Sequence, residues 1–273
     1  MGRNLLKITG ACIVIGALAS LGLTASATAQ EKVRIGVVLP LSGQFALGGQ
    51  NVKRGYDLAA EDINKDGGVK SLGGALIELV YADNQGKQEV AIGETERLIQ
   101  DEKVAAIMGS WHSATTIAGT QAAERLKTPW LIEVSSANII LERGFKYVAR
   151  VNVKASWYGE APVDARALAD EYKQKYNTDM NEASALAYQT TWVLKEAIEQ
   201  AKSTDHEKIN EALHQLKIAP GPLLIMPYSK IEFDETGQNP NARELIMQVQ
   251  NGQLVTVWPE KYASTKPMLP FRQ

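Results

Sequence analysis

The amino-acid sequence predicts an α/β protein built on a doubly wound, mostly parallel sheet. Short runs rich in β-branched residues alternate with helical patterns through roughly the first 120 residues after the N-terminal segment, the rhythm of βαβ units. Several runs are apolar on both faces, which suits strands covered by helices on either side. Of 273 residues, 45% are hydrophobic and 22% charged, so the chain is neither disordered nor collagen-like nor coiled-coil.

Val33 to Leu39 (VRIGVVL) reads as the first buried strand, closed by the turn Pro40-Leu41-Ser42-Gly43. A helix follows, with Val52, Tyr56, Ala59, Ala60 and Ile63 on one face and Gly67-Gly68 at its end. Ala75 to Tyr81 is the next strand and Gln88 to about Gln100 the next helix. Val104 to Met108 is a strand ending at Gly109, Ser110 to Thr116 a polar turn, and Ile117 to Leu126 a helix. Pro129 opens a strand at Trp130 to Val134, followed directly by Ser135-Ser136-Ala137-Asn138; Phe145 to Val151 is one more strand.

Helices are expected at Asp164 to about Tyr176 and Ala183 to Ala201. Thr204-x-x-Glu207 reads as a capping box for a third, with Ile209, Leu213 and Leu216 on one face. Strand-like pieces come last: Leu223 to Met226, Lys230 to Phe233 and Leu254 to Trp258, with Gln250-Asn251-Gly252 as a hairpin turn.

The N-terminal segment reads as an address. Arg3 and Lys7 precede an apolar run from Ile8 to about Leu23, diluted by Gly10, Gly16, Ser20 and Gly22. Ala27-Thr28-Ala29 then gives the small-x-small pattern of signal-peptide cleavage after Ala29. The competing reading, a membrane anchor, is disfavoured by the shortness of the run. Cys12, the single cysteine, would leave with the segment, so a disulfide scaffold and a mature thiol nucleophile are not expected. An exported, cysteine-free, mildly acidic chain fits a bacterial periplasm.

The formal net charge is −2, without a block of like charge, so no nucleic-acid partner is expected. No G-x-S-x-G elbow, P-loop or strand-following G-x-G-x-x-G occurs, and no cofactor is implied. His112, His206 and His214 lack metal-ligand spacing; Glu61, Asp62, Asp83 and Asp101 show no evident pairing. An enzyme is not expected.

What remains is a set of hydroxyls at strand ends. Right-handed crossovers gather the turns Leu41–Phe45, Ser110–Thr116 and Ser135–Asn138 along one sheet edge, where ligands bind in such folds. Ser110, Ser113, Thr115 and Thr116 stand just before a helix, whose start offers backbone N–H groups and partial positive charge to a small carboxylate. Ser135 and Ser136 would complete the seat, and Trp111 would wall the apolar part of a ligand. The plainer reading, that these are only caps and loop polars, stays open.

The stretch Val33 to Val69 resembles the opening of the type I periplasmic solute-binding proteins, most of all their branched-chain amino-acid group. The resemblance rests on Ile35-Gly36, Pro40-Leu41-Ser42-Gly43, Gly49, Gly55, Asp62-Ile63-Asn64 and Gly67-Gly68. It continues through Tyr81-Ala82-Asp83, Gly109-Ser110, Ser113-Ala114-Thr115-Thr116, Ser135-Ser136-Ala137, Ile231 to Asn239 and Val255 to Pro259. It implies the extracytoplasmic substrate-binding component of an ABC importer, with a small amino acid or related carboxylate as ligand and an inner-membrane permease as partner. Ser113 would give its hydroxyl and N–H to the ligand carboxylate; Ser135, Ser136 and Ala137 would contribute from the next turn, with Trp111, Thr115 and Phe45 beside them. The family's Thr appears here as Ala137, and its aromatic at the first turn is replaced by Gly48, with Phe45 nearby.

The resemblance also implies a gap. In the family a second α/β lobe follows the strand at Phe145 to Val151, whereas here the chain passes almost directly to the returning helix, with a seam near residues 160–163. On the order of 100 residues, a whole lobe, is missing. The expected organisation is a signal peptide at 1–29, a nearly complete first lobe at 30–241, and a segment at 242–273 that in the family packs on the second lobe. One wall of a cleft leaves a ligand largely in water, so binding is expected to be impaired. A single-lobe protein-interaction or sensory module, dimeric through its exposed first-lobe surface, is the alternative, as is a remnant without activity.

Overall fold

The computed structural model describes residues 32–152, 166–219, 224, 228–242, 246–250, 253–258, 260 and 263–268. The expected signal segment and the seam at 160–163 therefore lie outside the described residues.

Strand β1 (Lys32–Leu39) is the axis of the sheet. It pairs in parallel with β2 (Leu76–Asp83) on one side and with β3 (Ala106–Gly109) on the other; β4 (Trp130–Ile132) and β5 (Val148–Arg150) continue beyond β3, also in parallel. The order is β2-β1-β3-β4-β5. It reverses direction between β1 and β3, and in doubly wound sheets the loops at such a switch point diverge and open a crevice.

Strand alternation builds two cores. Val33, Ile35, Val37 and Leu39 of β1, with Met108 and Leu131, face α1 (Ala46–Lys65), α6 (Glu182–Ala201) and α7 (His206–Gln215). Val38, Ile107, Trp130 and Ile132 face the other way, onto α2 (Gln88–Gln100), α3 (Ser113–Arg125) and the short α4 (Ile139–Glu142). Helix α6 crosses α1 so closely that a Cβ at Gly55 would stand 2.0 Å from the Ser184 carbonyl oxygen. Helix α5 (Arg166–Tyr176) precedes α6.

The expected helices and strands form, with three corrections. Helix α3 begins at Ser113 rather than Ile117, because the hydroxyls of Thr115 and Thr116 turn back onto the His112 carbonyl and suit its first turn. The capping box expected at Thr204 and Glu207 is not used: Asp205 caps α7, accepting the Lys208 N–H at 3.1 Å. The capping box that does form joins Asn181 and Ser184 at the start of α6.

In the C-terminal part, β6 (Lys217–Ile218) pairs antiparallel with β7 (Ile231–Glu232), which lies inside the strand expected at Lys230 to Phe233. Of Leu223 to Met226 only Leu224 is described, and it is in no strand. Strands β8 (Ile246–Gln250) and β9 (Gln253–Trp258) form the expected hairpin, closed by the pair Gln250 and Gln253. The returning chain also joins the main sheet at its β5 edge: Arg150 N–H donates to the Gly237 carbonyl at 2.8 Å and Asn239 N–H to the Arg150 carbonyl at 2.9 Å.

Candidate functional site

Three turns meet at the carboxyl edge of the sheet, after β1, β3 and β4. The first is set by Asp83, the last residue of β2. Its Oδ1 accepts the N–H groups of Leu41 at 2.8 Å, Ser42 at 3.2 Å and Gln85 at 2.9 Å. Burial works against its ionisation, but donors from Ser42, Gln85 and Leu41 prevail and hold the carboxyl below its ordinary range. Asp83, unpaired on a sequence reading, thus fixes the turn that ends in Phe45. The Phe45 ring stacks on His112, centroids 4.6 Å apart, and stands tilted to Trp111 at 5.7 Å. Trp111 fills the space over Gly48, where a Cβ would lie 2.4 Å from its indole. Phe45 and Trp111, from separate turns, therefore form one aromatic wall.

Hydroxyl protons decide what the other two turns can offer. The Thr115 and Thr116 hydroxyls both donate to the His112 carbonyl, at 2.8 and 3.0 Å. Each has a single proton. Ser110 Oγ, 2.7 Å from Thr115 Oγ1, must therefore donate to it, and Ser135 Oγ, 2.6 Å from Thr116 Oγ1, must donate to that oxygen. Asn84 Nδ2 donates to Ser110 Oγ at 2.9 Å. These hydroxyls are buried and their protons committed. Thr115 and the Ser135 side chain, both expected to touch a ligand, spend their hydroxyl protons within the protein. Ser113 differs. Half-buried at the start of α3, its Oγ accepts the Ala137 N–H at 3.4 Å, and among the described residues its own proton has no acceptor. Ser136 is half-buried in the adjacent turn.

Arg150 locks that adjacent turn. Buried to 1% exposure, its guanidinium donates to the carbonyls of Ser135 at 3.3 Å and Ala137 at 3.0 Å, and to Gln238 Oε1 at 2.8 Å. The carbonyls of Ser135 and Ala137, in a turn expected to contribute to the site, thus hold a cation.

Glu133, like Arg150, escaped the sequence reading. Glu133, just past β4, is fully buried, and neither carboxylate oxygen nor the nearby Tyr56 hydroxyl makes a hydrogen bond of ordinary geometry among the described residues. Burial pushes its pKa up to about 7, against the partial help of Tyr56 and the backbone at Trp111 and Gly109. The only signal in the sequence is a carboxylate inside the apolar run WLIEV.

The edge thus offers the N-terminus of α3, the Ser113 hydroxyl and an aromatic wall, which suits a small carboxylate with an apolar part. Among the described residues no cluster of side chains could hold a metal ion.

A sequence model described as periplasmic binding protein matches residues 32–161 and 135–253. The chain belongs to the periplasmic binding protein family. This is a family of solute-binding proteins and not of enzymes. Leu/Ile/Val-binding protein homolog 7 of Brucella melitensis is 34% identical over 164 residues, 60% of this chain and 38% of that one. Homolog 8 of Brucella abortus is 35% identical over 156 residues, 56% of this chain and 37% of its own length. The matched stretch is thus well under half of these relatives. The fold is that of the branched-chain amino acid transporter substrate binding protein LivJ of Streptococcus pneumoniae, solved with isoleucine (TM-score 0.72, 16% identity, 82% of this chain and 98% of that chain). A solute binding protein of Rhodopseudomonas palustris, solved with 3,4-dihydroxybenzoic acid, is also similar (TM-score 0.67, 13% identity, 82% and 95% covered). The five-stranded parallel sheet supplies one lobe of this fold. The other sheets among the described residues are two-stranded, β6–β7 and β8–β9.

Proposed function

We propose that this periplasmic binding protein is the extracytoplasmic ligand-binding component of an ABC importer, taking a small amino acid or related carboxylate at the carboxyl edge of its sheet. The observation that carries the reading is Ser113: at the switch-point crevice, on a helix N-terminus, its hydroxyl proton has no acceptor among the described residues once the hydroxyl network around it is satisfied. The ligand carboxylate accepts hydrogen bonds from that hydroxyl and from the first N–H groups of α3, and its apolar part lies against Trp111 and Phe45. The periplasm is the matching location, with cleavage after Ala29, and the inner-membrane permease the matching partner.

With one wall the ligand's other side stays in water, where solvent competes for its charges. Affinity is therefore expected in the millimolar range, not the micromolar (about −4 against −8 kcal/mol). The test is a thermal melt of the chain from Gln30 with branched-chain amino acids, other amino acids and aromatic acids, because a ligand bound only to the folded form raises the melting point by mass action. A shift at millimolar ligand supports the reading; no shift with any of them overturns it. A second reading, a single-lobe interaction module, is favoured by Leu47 and Ile139, 76% and 50% exposed in segments at this same edge. A dimeric mass without any ligand response would support it.

A further inference from the structure

We propose that Glu133 is a positioning residue carried as a neutral carboxylic acid: its proton holds the Trp111 turn in the form that receives a carboxylate ligand, and loss of the proton weakens that form. The argument begins with what surrounds it. A fully desolvated carboxylate persists as an anion only with a cation or several donors. From α1 comes Tyr56, whose hydroxyl is also buried and unbonded. Behind it on β2 is Tyr81, whose hydroxyl bonds Asp57 at 2.7 Å and whose ring carries Lys53 at 4.2 Å. Lys53 is itself paired with Asp57 at 2.7 Å. On α6 the one cation is Lys195, engaged by Glu196 at 3.0 Å and Glu199 at 3.1 Å of the same helix, whose remaining charged residue is Glu182. Among the described residues, no Lys or Arg forms an ion pair with Glu133.

As an acid, Glu133 has an O–H for the Tyr56 oxygen and a carbonyl oxygen for a backbone N–H of the Gly109–Trp111 turn. As an anion it can only accept, and it draws the Tyr56 O–H and the turn's N–H groups toward itself. A negative charge beside the backbone of Gly109 and Trp111, just before α3, also opposes a carboxylate ligand. Both effects act in one direction, so ligand is held more tightly when Glu133 is protonated. That consequence rests on the binding reading above; the proton itself does not.

The experiment is an NMR titration of the whole chain without ligand. It follows the Glu133 side-chain carboxyl by carbon-13, and Trp111 as fluorotryptophan, assigned with Trp111→Phe. The expected result is a carboxyl midpoint near 7, shared by the Trp111 signal. In Glu133→Gln the Trp111 transition disappears and the signal stays in its low-pH position. Tyr56→Phe, which removes a donor to the anion, moves the midpoint upward and guards against a Gln variant that fails to fold. An ordinary carboxylate midpoint, a silent Trp111, or an unchanged Trp111 transition in Glu133→Gln overturns the proposal. Because no ligand is present, this outcome and that of the melt screen are independent.

Discussion

At the scale of single residues, the site is governed by how many protons its hydroxyls hold. Ser113 and Thr116 are both hydroxyl residues in the first turn of α3, yet they do different work. Ser113→Ala removes the proposed donor to the ligand and, within the protein, only the long 3.4 Å contact from the Ala137 N–H, so it is expected to weaken binding about tenfold with little change in melting point. Thr116→Val strands the Ser135 hydroxyl and the Ser110 N–H, at a cost of about 1–3 kcal/mol, read as a lower urea midpoint. Glu133 gives the pH dependence. Its folded pKa of about 7 lies above its ordinary 4.5, so the unfolded chain releases the proton first. Stability attributable to Glu133 is full below the ordinary value, declines as pH rises through the interval, and is lost above the folded value, by about 3 kcal/mol. Glu133→Gln lacks this slope and is expected to melt higher than the parent at pH 8 but not at pH 4.

At the scale of elements, close helix packing places the site. Helix α1 carries the Phe45 turn at its start, and its position is fixed by the approach of α6 at Gly55. Gly55→Ala forces the two helices apart and is expected to destabilise by about 1–3 kcal/mol, despite the gain of a better helix former. Gly93, inside α2, has nothing within 4 Å of an added Cβ; Gly93→Ala is expected to stabilise by about 0.8–1 kcal/mol. Two urea titrations check the pair, and opposite signs are the diagnostic result.

At the scale of the whole molecule, Arg150 ties the sheet to the returning chain. It joins the turn at Ser135 and Ala137 to Gln238, 88 residues onward. Arg150→Ala leaves these buried acceptors without their donor and is expected to cost roughly 2–4 kcal/mol and to lower ligand affinity, even though Arg150 stands beneath the binding surface. Melting curves with and without ligand check both effects.

The sequence by itself determined the class of fold, because strand alternation and helical periodicity are local patterns: β1, α1, β2, α2 and α6 lie close to where those patterns put them. It also placed the Ser113, Ser135 and Trp111 turns on one edge, since crossover handedness permits no other arrangement. It could not divide the hydroxyls into those that brace and those that bind, because the Thr116–Ser135 and Ser110–Thr115 bonds join residues whose distances exist only after folding. Asp83, Glu133 and Arg150 were unreadable for the same reason. The role of a charged residue is set by what surrounds it, and only the tertiary structure brings the Leu41 and Ser42 amides to join that of Gln85 on Asp83, leaves Glu133 dry, and gives the Arg150 guanidinium acceptors at Ser135, Ala137 and Gln238.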